Sequence, residues 1–350
     1  MGVLRLLLAI SVILFHADAG FWFQLVAGGK AVEIFFIISG FYMCMVLENK
    51  YYGPGSTVIF WLNRATRIFP AYWLALIAYL LLAPFFYHHS QDVPQRGLYS
   101  LYSSFGQLPL STQVLASFGN VAVFGQEVMI FIGGYPGLQA YFPIIVAWTL
   151  SIELSFYVVA PFMVRKTNVL LSLLIIFSIL RFAYFDRFEF EPYVYRMFPA
   201  QLPLFLFGAT IYKFRDRLTL RGSRAQSAVF IAACMSLYFW HFFFPNHIAA
   251  VDELKKYFLY VPLALAVPSI FDLTKQNKWD GILGKMSYFV YLIHYIFIGL
   301  FEVWIRDSNW LSLAAVASSL VFSAILYYSL EAPMDRWRSQ WTHKALRPAH

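Results

Sequence analysis

Met286-Ser-Tyr-Phe-Val-Tyr-Leu-Ile-His-Tyr-Ile-Phe-Ile-Gly-Leu-Phe-Glu-Val-Trp304 carries one formal charge, Glu302, and that near its end. A bilayer core of about 30 Å needs about 20 apolar residues of α-helix to cross it, so this run reads as a membrane span. Working outward, apolar runs of similar length recur at 3–20, 31–48, 67–86, 143–164, 168–185, 197–213, 226–244, 257–272 and 310–330. The expected fold class is therefore an all-α polytopic integral membrane protein with about ten transmembrane helices.

Composition agrees. The 350-residue chain is 60% hydrophobic and 13% charged, against about 25% charged in soluble domains, so it could not dress a soluble surface. Its 23 Tyr and 10 Trp suit the headgroup layer, where a flat ring and a polar tip are both satisfied. The net charge of +8 sits in short loops between apolar runs, which excludes the nucleic-acid reading of a basic chain and fits positive-inside bias. With the N-terminus in the cytoplasm, most of the 26 Lys and Arg residues fall inside, among them Arg5, Lys50, Arg64, Arg67, Arg165, Lys213, the Arg-rich loop 213–224, Lys285 and Arg347. Both termini are then cytoplasmic. Residues 1–335 read as one transmembrane domain and 336–350 as a short cytoplasmic tail. Cys44 and Cys234 lie in apolar runs as packing residues; neither zinc spacing nor a disulfide framework is visible.

Two stretches need a decision. Ala17-Asp18-Ala19 ends the first run in the pattern of a signal-peptide cleavage site, but His16 is foreign to such a segment and a second apolar run follows, so the first run reads as a retained span. Segment 111–132 is apolar yet holds Asn120, Gln126 and Glu127. Counting it as a span would move the 213–224 cations outside, so it reads as re-entrant or lying on the outer face. Gly133-Gly134 and Pro136-Gly137 mark turns.

Ionisable groups inside spans are costly and point to function. Eleven residues separate Arg5 from His16, which places them about 20° apart on one helix face and roughly 16 Å apart along the axis. A cation at the mouth and an imidazole deep inside suit a long anionic ligand; a hydrogen-bonded packing histidine is the plain alternative. Arg64 and Arg67, three apart, share a face before Ile68-Phe69-Pro70-Ala71-Tyr72, and guanidinium groups grip phosphate in bidentate fashion; ordinary anchoring is the alternative. In Phe35-Phe36-Ile37-Ile38-Ser39-Gly40-Phe41 the small pair permits close helix approach, and Glu33, near His16 in depth, would hold its tautomer. In Trp148-Thr149-Leu150-Ser151-Ile152-Glu153, the carboxylate is flanked on its own face by Thr149 and Tyr157, and Trp148 is an interface anchor or an acceptor platform. His294 reads as a structural hydrogen-bonder, and Glu331-Ala-Pro333 as a helix end.

Together these constellations resemble the membrane-bound acyltransferase family 3. Arg5 and His16 match its Arg, ten residues, His pattern; Arg64 and Arg67 its Arg-x-x-Arg; Phe35 to Phe41 its F-F-x-x-S-G-F; and Trp148 to Glu153 its W-S-L-x-x-E, with Thr149 for the usual Ser. Tyr291 to His294 and Glu331 to Pro333 match its late phrases, so the likeness runs over nearly the whole chain, 87–142 apart. The resemblance implies an O-acetyltransferase that moves acetyl from cytoplasmic acetyl-CoA to a sugar hydroxyl of an exopolysaccharide, O-antigen or other cell-envelope glycan, in a bacterial cytoplasmic membrane. It implies a stand-alone enzyme without the extra hydrolase-like domain of longer members, and no metal. His16, Glu33 and Glu153 are the expected catalytic residues. Arg5, Arg64, Arg67, Ser39 and Tyr72 are expected at the donor, and Trp148, Ser151 and Tyr157 at the glycan or lipid-linked sugar. His16 would act as general base or acyl carrier. A transporter or flippase, or a transferase of succinyl or another acyl group, are the rival readings; a transporter has no need of a nucleotide-sized phosphate clamp.

Overall fold

A computed structural model describes residues 1–20, 25–89, 96–133, 137–187, 191–243 and 249–346, and every regular element among them is helical. In chain order these are α1 (Gly2–His16), α2 (Gly28–Asn49), α3 (Ser56–His89), α4 (Arg96–Ser103), α5 (Leu110–Ala122), α6 (Gln126–Met129), α7 (Trp148–Met163), α8 (Thr167–Arg187), α9 (Glu191–Tyr195), α10 (Phe198–Lys213), α11 (Arg215–Leu218), α12 (Ser223–Phe243), α13 (Ala249–Thr274), α14 (Lys278–Glu302), α15 (Ser308–Leu326) and α16 (Ala332–Ala345). Each run expected to span coincides with one of the helices α1, α2, α3, α7, α8, α10, α12, α13, α14 and α15. Among the described residues, 7 helices are long and apolar enough to cross a membrane; α1 is apolar but only 15 residues long. The chain is an all-α, multi-pass membrane protein. Residues Gly134, Pro136, Phe244 and Arg347, used in the sequence reading, lie outside the described residues.

The outer surface is built for lipid. Ile175, Ile179, Ile77, Leu81, Val321 and Ile325 are all more than half exposed on long helices, a girdle that water would not tolerate. Inside, α2 and α10 cross closely. A Cβ on Gly40 would lie 1.9 Å from the Phe205 carbonyl oxygen, and one on Gly208 would lie 1.8 Å from that of Ile37, so the crossing admits no side chain at either position. Phe205 then stacks between Phe36 and Phe156, with centroids 4.7 and 4.3 Å away, and ties α7 to the pair.

The stretch 111–132 turns back on itself. The 13-residue α5 is too short to cross a bilayer, and the backbone reverses through Val123 (φ 64°) and Gly125 (φ 86°) into α6. Backbone groups freed by such a turn need partners away from water. Tyr72 and Trp73 of α3 donate to the carbonyls of Asn120 (2.7 Å) and Val121 (2.9 Å). On α7, Ser151 Oγ accepts from the Gln126 N–H (3.1 Å) and donates to the Glu127 carboxylate, which also accepts from Ser155. Gly133 and Gly137, both at positive φ, form part of the turn that follows.

Residues 336–346 are structured too. Tyr327–Glu331 widens into a π turn, because Pro333 has no N–H to continue the ladder. The following α16 docks on α3: Asn63 donates to Thr342 Oγ1 (2.7 Å), and Arg338 bonds Glu331 (2.6 Å) and the Thr66 carbonyl (3.2 Å). The starts of α1, α3 and α14 and the ends of α2, α7 and α10 thus gather on one face, where Lys213 pairs with Glu48 and Arg165 donates to the Tyr51 carbonyl (3.0 Å).

Glu33 holds the opposite half of the bundle. Fully buried, its carboxylate takes Arg181 of α8 (2.5 Å), Gln201 of α10 (3.3 Å), Lys256 of α13 (3.5 Å) and the Tyr260 hydroxyl. Removing one member of such a network strands the others, at a cost of about 3–5 kcal/mol. Glu33→Ala is expected to lower the unfolding midpoint in detergent sharply, whereas Glu33→Gln, which keeps the shape and two hydrogen-bonding atoms, retains specific activity per folded molecule. A Glu33→Gln protein that folds at wild-type yield but is inactive would return Glu33 to the chemistry.

Candidate active site

The site is built on α1 lying parallel to α14. The first N–H groups of any helix lack intrahelical partners, and here they are capped by a side chain of another helix. Asp280 accepts from the N–H of Gly2 (2.7 Å) and Val3 (2.9 Å) and from the Met1 amine (2.6 Å). A Cβ on Gly2 would sit 1.6 Å from the Asp280 carbonyl oxygen, so glycine permits the contact. At the other end of α1, His16 Nδ1 and the Tyr295 hydroxyl share a hydrogen bond of 2.7 Å, and the His16 ring stacks on that of His294 at 5.5 Å. His294 is fully buried, with Nδ1 on the Tyr291 carbonyl at 2.7 Å.

Beside the Arg5 end lies a cavity of about 290 Å³. Arg5, Arg64, Arg67 and Lys285 face it, as do Glu153, Ser39 and Tyr157. Ser39 (2.8 Å) and Tyr157 (2.5 Å) both donate to one Glu153 oxygen. Arg64 donates from Nη2 to Asn63 (2.8 Å), while its buried Nε has no partner. The Arg5 and Arg67 side chains form no hydrogen bond or salt bridge among the described residues. Guanidinium groups withdrawn from water and left without acceptors make a receptor for an anion. The far wall is Phe35 and Tyr291, whose hydroxyl meets Thr149 Oγ1 at 2.9 Å.

A second cavity, about 240 Å³, opens at the His16 end and is lined by His16, Asp18, Glu302, Arg306 and Ser308. Asp18 there adopts φ 51°, a left-handed backbone uncommon for a non-glycine residue. The layer of Tyr291 and His294 stands between the two cavities, their rings 6.0 Å apart.

Of the residues singled out in the sequence, Arg5, Arg64, Arg67, Ser39, Glu153 and Tyr157 meet in the first cavity, and His16 lines the second. Four others are placed elsewhere. Glu33 does not contact His16: at about 100° per residue Ser39 lies some 240° round α2 from it, so the two face different neighbours. Ser151 lies about 200° round α7 from Glu153, and its hydroxyl goes to Glu127. Tyr72 donates to the Asn120 carbonyl beside the turn at Val123. Trp148 lies edge-on to Tyr195 at 5.0 Å, with the Arg196 guanidinium 5.3 Å above its ring. Lys285 and Asp280 line the first cavity and Glu302 and Arg306 the second, and none of the four was singled out in the sequence as a candidate. Lys285 reads in the sequence as one more loop cation; its signal is that it opens the same apolar run that carries His294.

The acyltransferase domain family matches residues 1–328, and the chain belongs to that family, the membrane-bound acyltransferases of family 3. An uncharacterized protein of Aquifex aeolicus (strain VF5) is 25% identical over 191 residues, covering 52% of this chain and 81% of the relative. The exopolysaccharide production protein ExoZ of Rhizobium meliloti (strain 1021) is 40% identical over 62 residues, covering 18% of this chain and 19% of the relative. No solved structure matches the chain.

If His16 takes part in acyl transfer, its imidazole must be held in one orientation, and Tyr295 is the group that holds it. Tyr295→Phe removes one hydrogen bond, worth about 1 kcal/mol, and is expected to lower acyl-transfer kcat about fivefold with donor KM and unfolding midpoint unchanged. An unchanged kcat would free His16 from Tyr295.

Proposed function

We propose that the protein is an O-acetyltransferase of a bacterial cytoplasmic membrane, moving acetyl from acetyl-CoA to a sugar hydroxyl of an exopolysaccharide, O-antigen or other cell-envelope glycan. One observation carries this reading. Cations without acceptors face a cavity at one end of α1, and His16 faces a separate cavity at the other. A donor rich in phosphate enters at the Arg5 end, on the cytoplasmic face, where positive-inside bias puts both termini. The acceptor hydroxyl enters at the His16 end, where Asp18, Glu302 and Arg306 offer the mixed polar lining that a sugar requires. The name of the Rhizobium relative points to the same class of product.

Arg5, Arg64 and Arg67 hold the donor phosphates, and the acyl arm runs past Ser39 and Glu153 to the wall at Tyr291. Passage through that wall requires the Tyr291 and Phe35 side chains to part. At the far side His16 Nδ1 shares its hydrogen bond with the Tyr295 hydroxyl; with the ring proton on Nδ1, the lone pair is on Nε2. Nε2 takes the acceptor proton as the hydroxyl oxygen attacks the thioester carbon; the C–S bond breaks, and the proton passes to the departing thiolate. Glu153, with its two hydroxyl partners, keeps the narrowing cavity polar enough for the amides of the arm.

The test uses membranes with matched amounts of wild type or variant, radiolabelled acetyl-CoA and envelope glycan. Label is expected in glycan with wild type and absent with His16→Ala. Without acceptor, no label is expected on the protein; label on wild type that His16→Ala lacks would make His16 an acyl carrier instead. Transfer from succinyl-CoA but not acetyl-CoA would change the donor. Arg67→Met is expected to raise donor KM about tenfold, since a charge-assisted phosphate contact is worth about 1.5–3 kcal/mol, with acceptor KM unmoved. An unchanged donor KM removes Arg67 from the donor.

A further inference from the structure

Lys285 stands apart from the three arginines. It faces the same cavity, but its side chain is 34% exposed where Arg64 is 8% exposed, and it is already engaged: Nζ lies 2.6 Å from Asp335 of α16. Its place along α14 sets its depth. Gly281, Gly284 and Lys285 line the cavity at the start of the helix, Tyr288 lines it further in, and Tyr291 forms its inner wall. Six residues of helix from Lys285 to Tyr291 amount to about 9 Å. Arg5 lies one turn inward of Gly2, which touches Gly284, so Lys285 lies nearer the mouth than Arg5 and is more exposed than Arg64.

We infer that Lys285 binds the ribose 3′-phosphate of the CoA donor, exchanging Asp335 for that phosphate when the donor enters. The inference rests on the donor reading given above, and the order of groups along CoA supplies the rest. The thioester must reach inward toward Tyr291, the pantetheine arm follows, then the diphosphate, and the 3′-phosphorylated ribose remains outermost. Arg5, Arg64 and Arg67 then meet the diphosphate, and the mouth cation meets the terminal phosphate. A partly exposed Lys–Asp pair is weak, whereas a phosphate monoester brings close to two negative charges, so the exchange favours the ligand. Asp335 parks the ammonium in the empty state and keeps the long side chain at the rim. It is itself held by Arg338 (3.0 Å), which anchors α16 to α3. The C-terminal helix thereby becomes part of the donor site. Lysine suits this position better than arginine would, because a compact charge on a flexible stem can swing between two partners.

Purified wild type, Lys285→Met and Lys285→Arg, titrated calorimetrically with CoA and with 3′-dephospho-CoA, test the assignment. Wild type is expected to bind CoA about tenfold more tightly than 3′-dephospho-CoA, the value of one charge-assisted contact. Lys285→Met should lose that preference, weakening CoA about tenfold and leaving 3′-dephospho-CoA unchanged, while Lys285→Arg keeps most of it. Matching unfolding midpoints confirm that both variants are folded. Equal weakening of both ligands, or no weakening of either, overturns the assignment while leaving the donor cavity standing. A wild type that binds neither ligand overturns the donor reading and this inference together.

Discussion

Everything in the site depends on α1 being held in register along α14. Asp280 collects the first N–H groups of α1, and Gly2 lets the two backbones touch at that point. Both helices then run the same way, so the residues that follow meet in order: Arg5 beside the start of α14, His16 beside His294 and Tyr295. A slip of one residue would rotate α1 by about 100° and carry both the cation and the imidazole off their faces. The cap and the glycine contact are thus functional constraints as much as packing ones.

Three groups of buried polar side chains in this bundle differ in how they are satisfied. Around Glu33 they bind α2, α8, α10 and α13 together. Around Glu127 and Asn120 they satisfy the turned backbone of 111–132, which cannot bond to itself as a spanning helix does. In the third group, Arg5 and Arg67 form no hydrogen bond or ion pair among the described residues, and Arg64 has a buried Nε without a partner. In the first two groups the carboxylates of Glu33 and Glu127 are each met by donors from neighbouring helices; the third borders a cavity and fits a ligand. That contrast, rather than burial alone, separates the site from the scaffold.

The two cavities give the arrangement a direction. An anion receptor at one end of α1 and a histidine at the other, with an aromatic wall between them, suit a reaction whose two substrates arrive from opposite faces of a membrane. The small pair at Ser39 and Gly40 serves both sides of α2 at once. Gly40 lets α10 approach on one side, while Ser39 donates to Glu153 on the other.

Much of this was legible in the chain alone. Long, continuous apolar runs with rare charges point to helices crossing lipid, because the strands of a closed barrel would be short and alternating, and each expected span is a helix. Spacing along one helix was equally readable: Arg5 with His16, Arg64 with Arg67, Glu153 with Tyr157. What the sequence could not give was azimuth between helices. Glu33 matched His16 in depth yet faces Arg181, and Ser151 shares a motif with Glu153 yet points to Glu127. Lys285 resembled a loop cation until the packing of α14 and α16 turned it into the cavity mouth. Periodicity determines which residues share a helix face; which neighbour that face meets depends on where glycines allow helices to cross, and only the tertiary structure decides that.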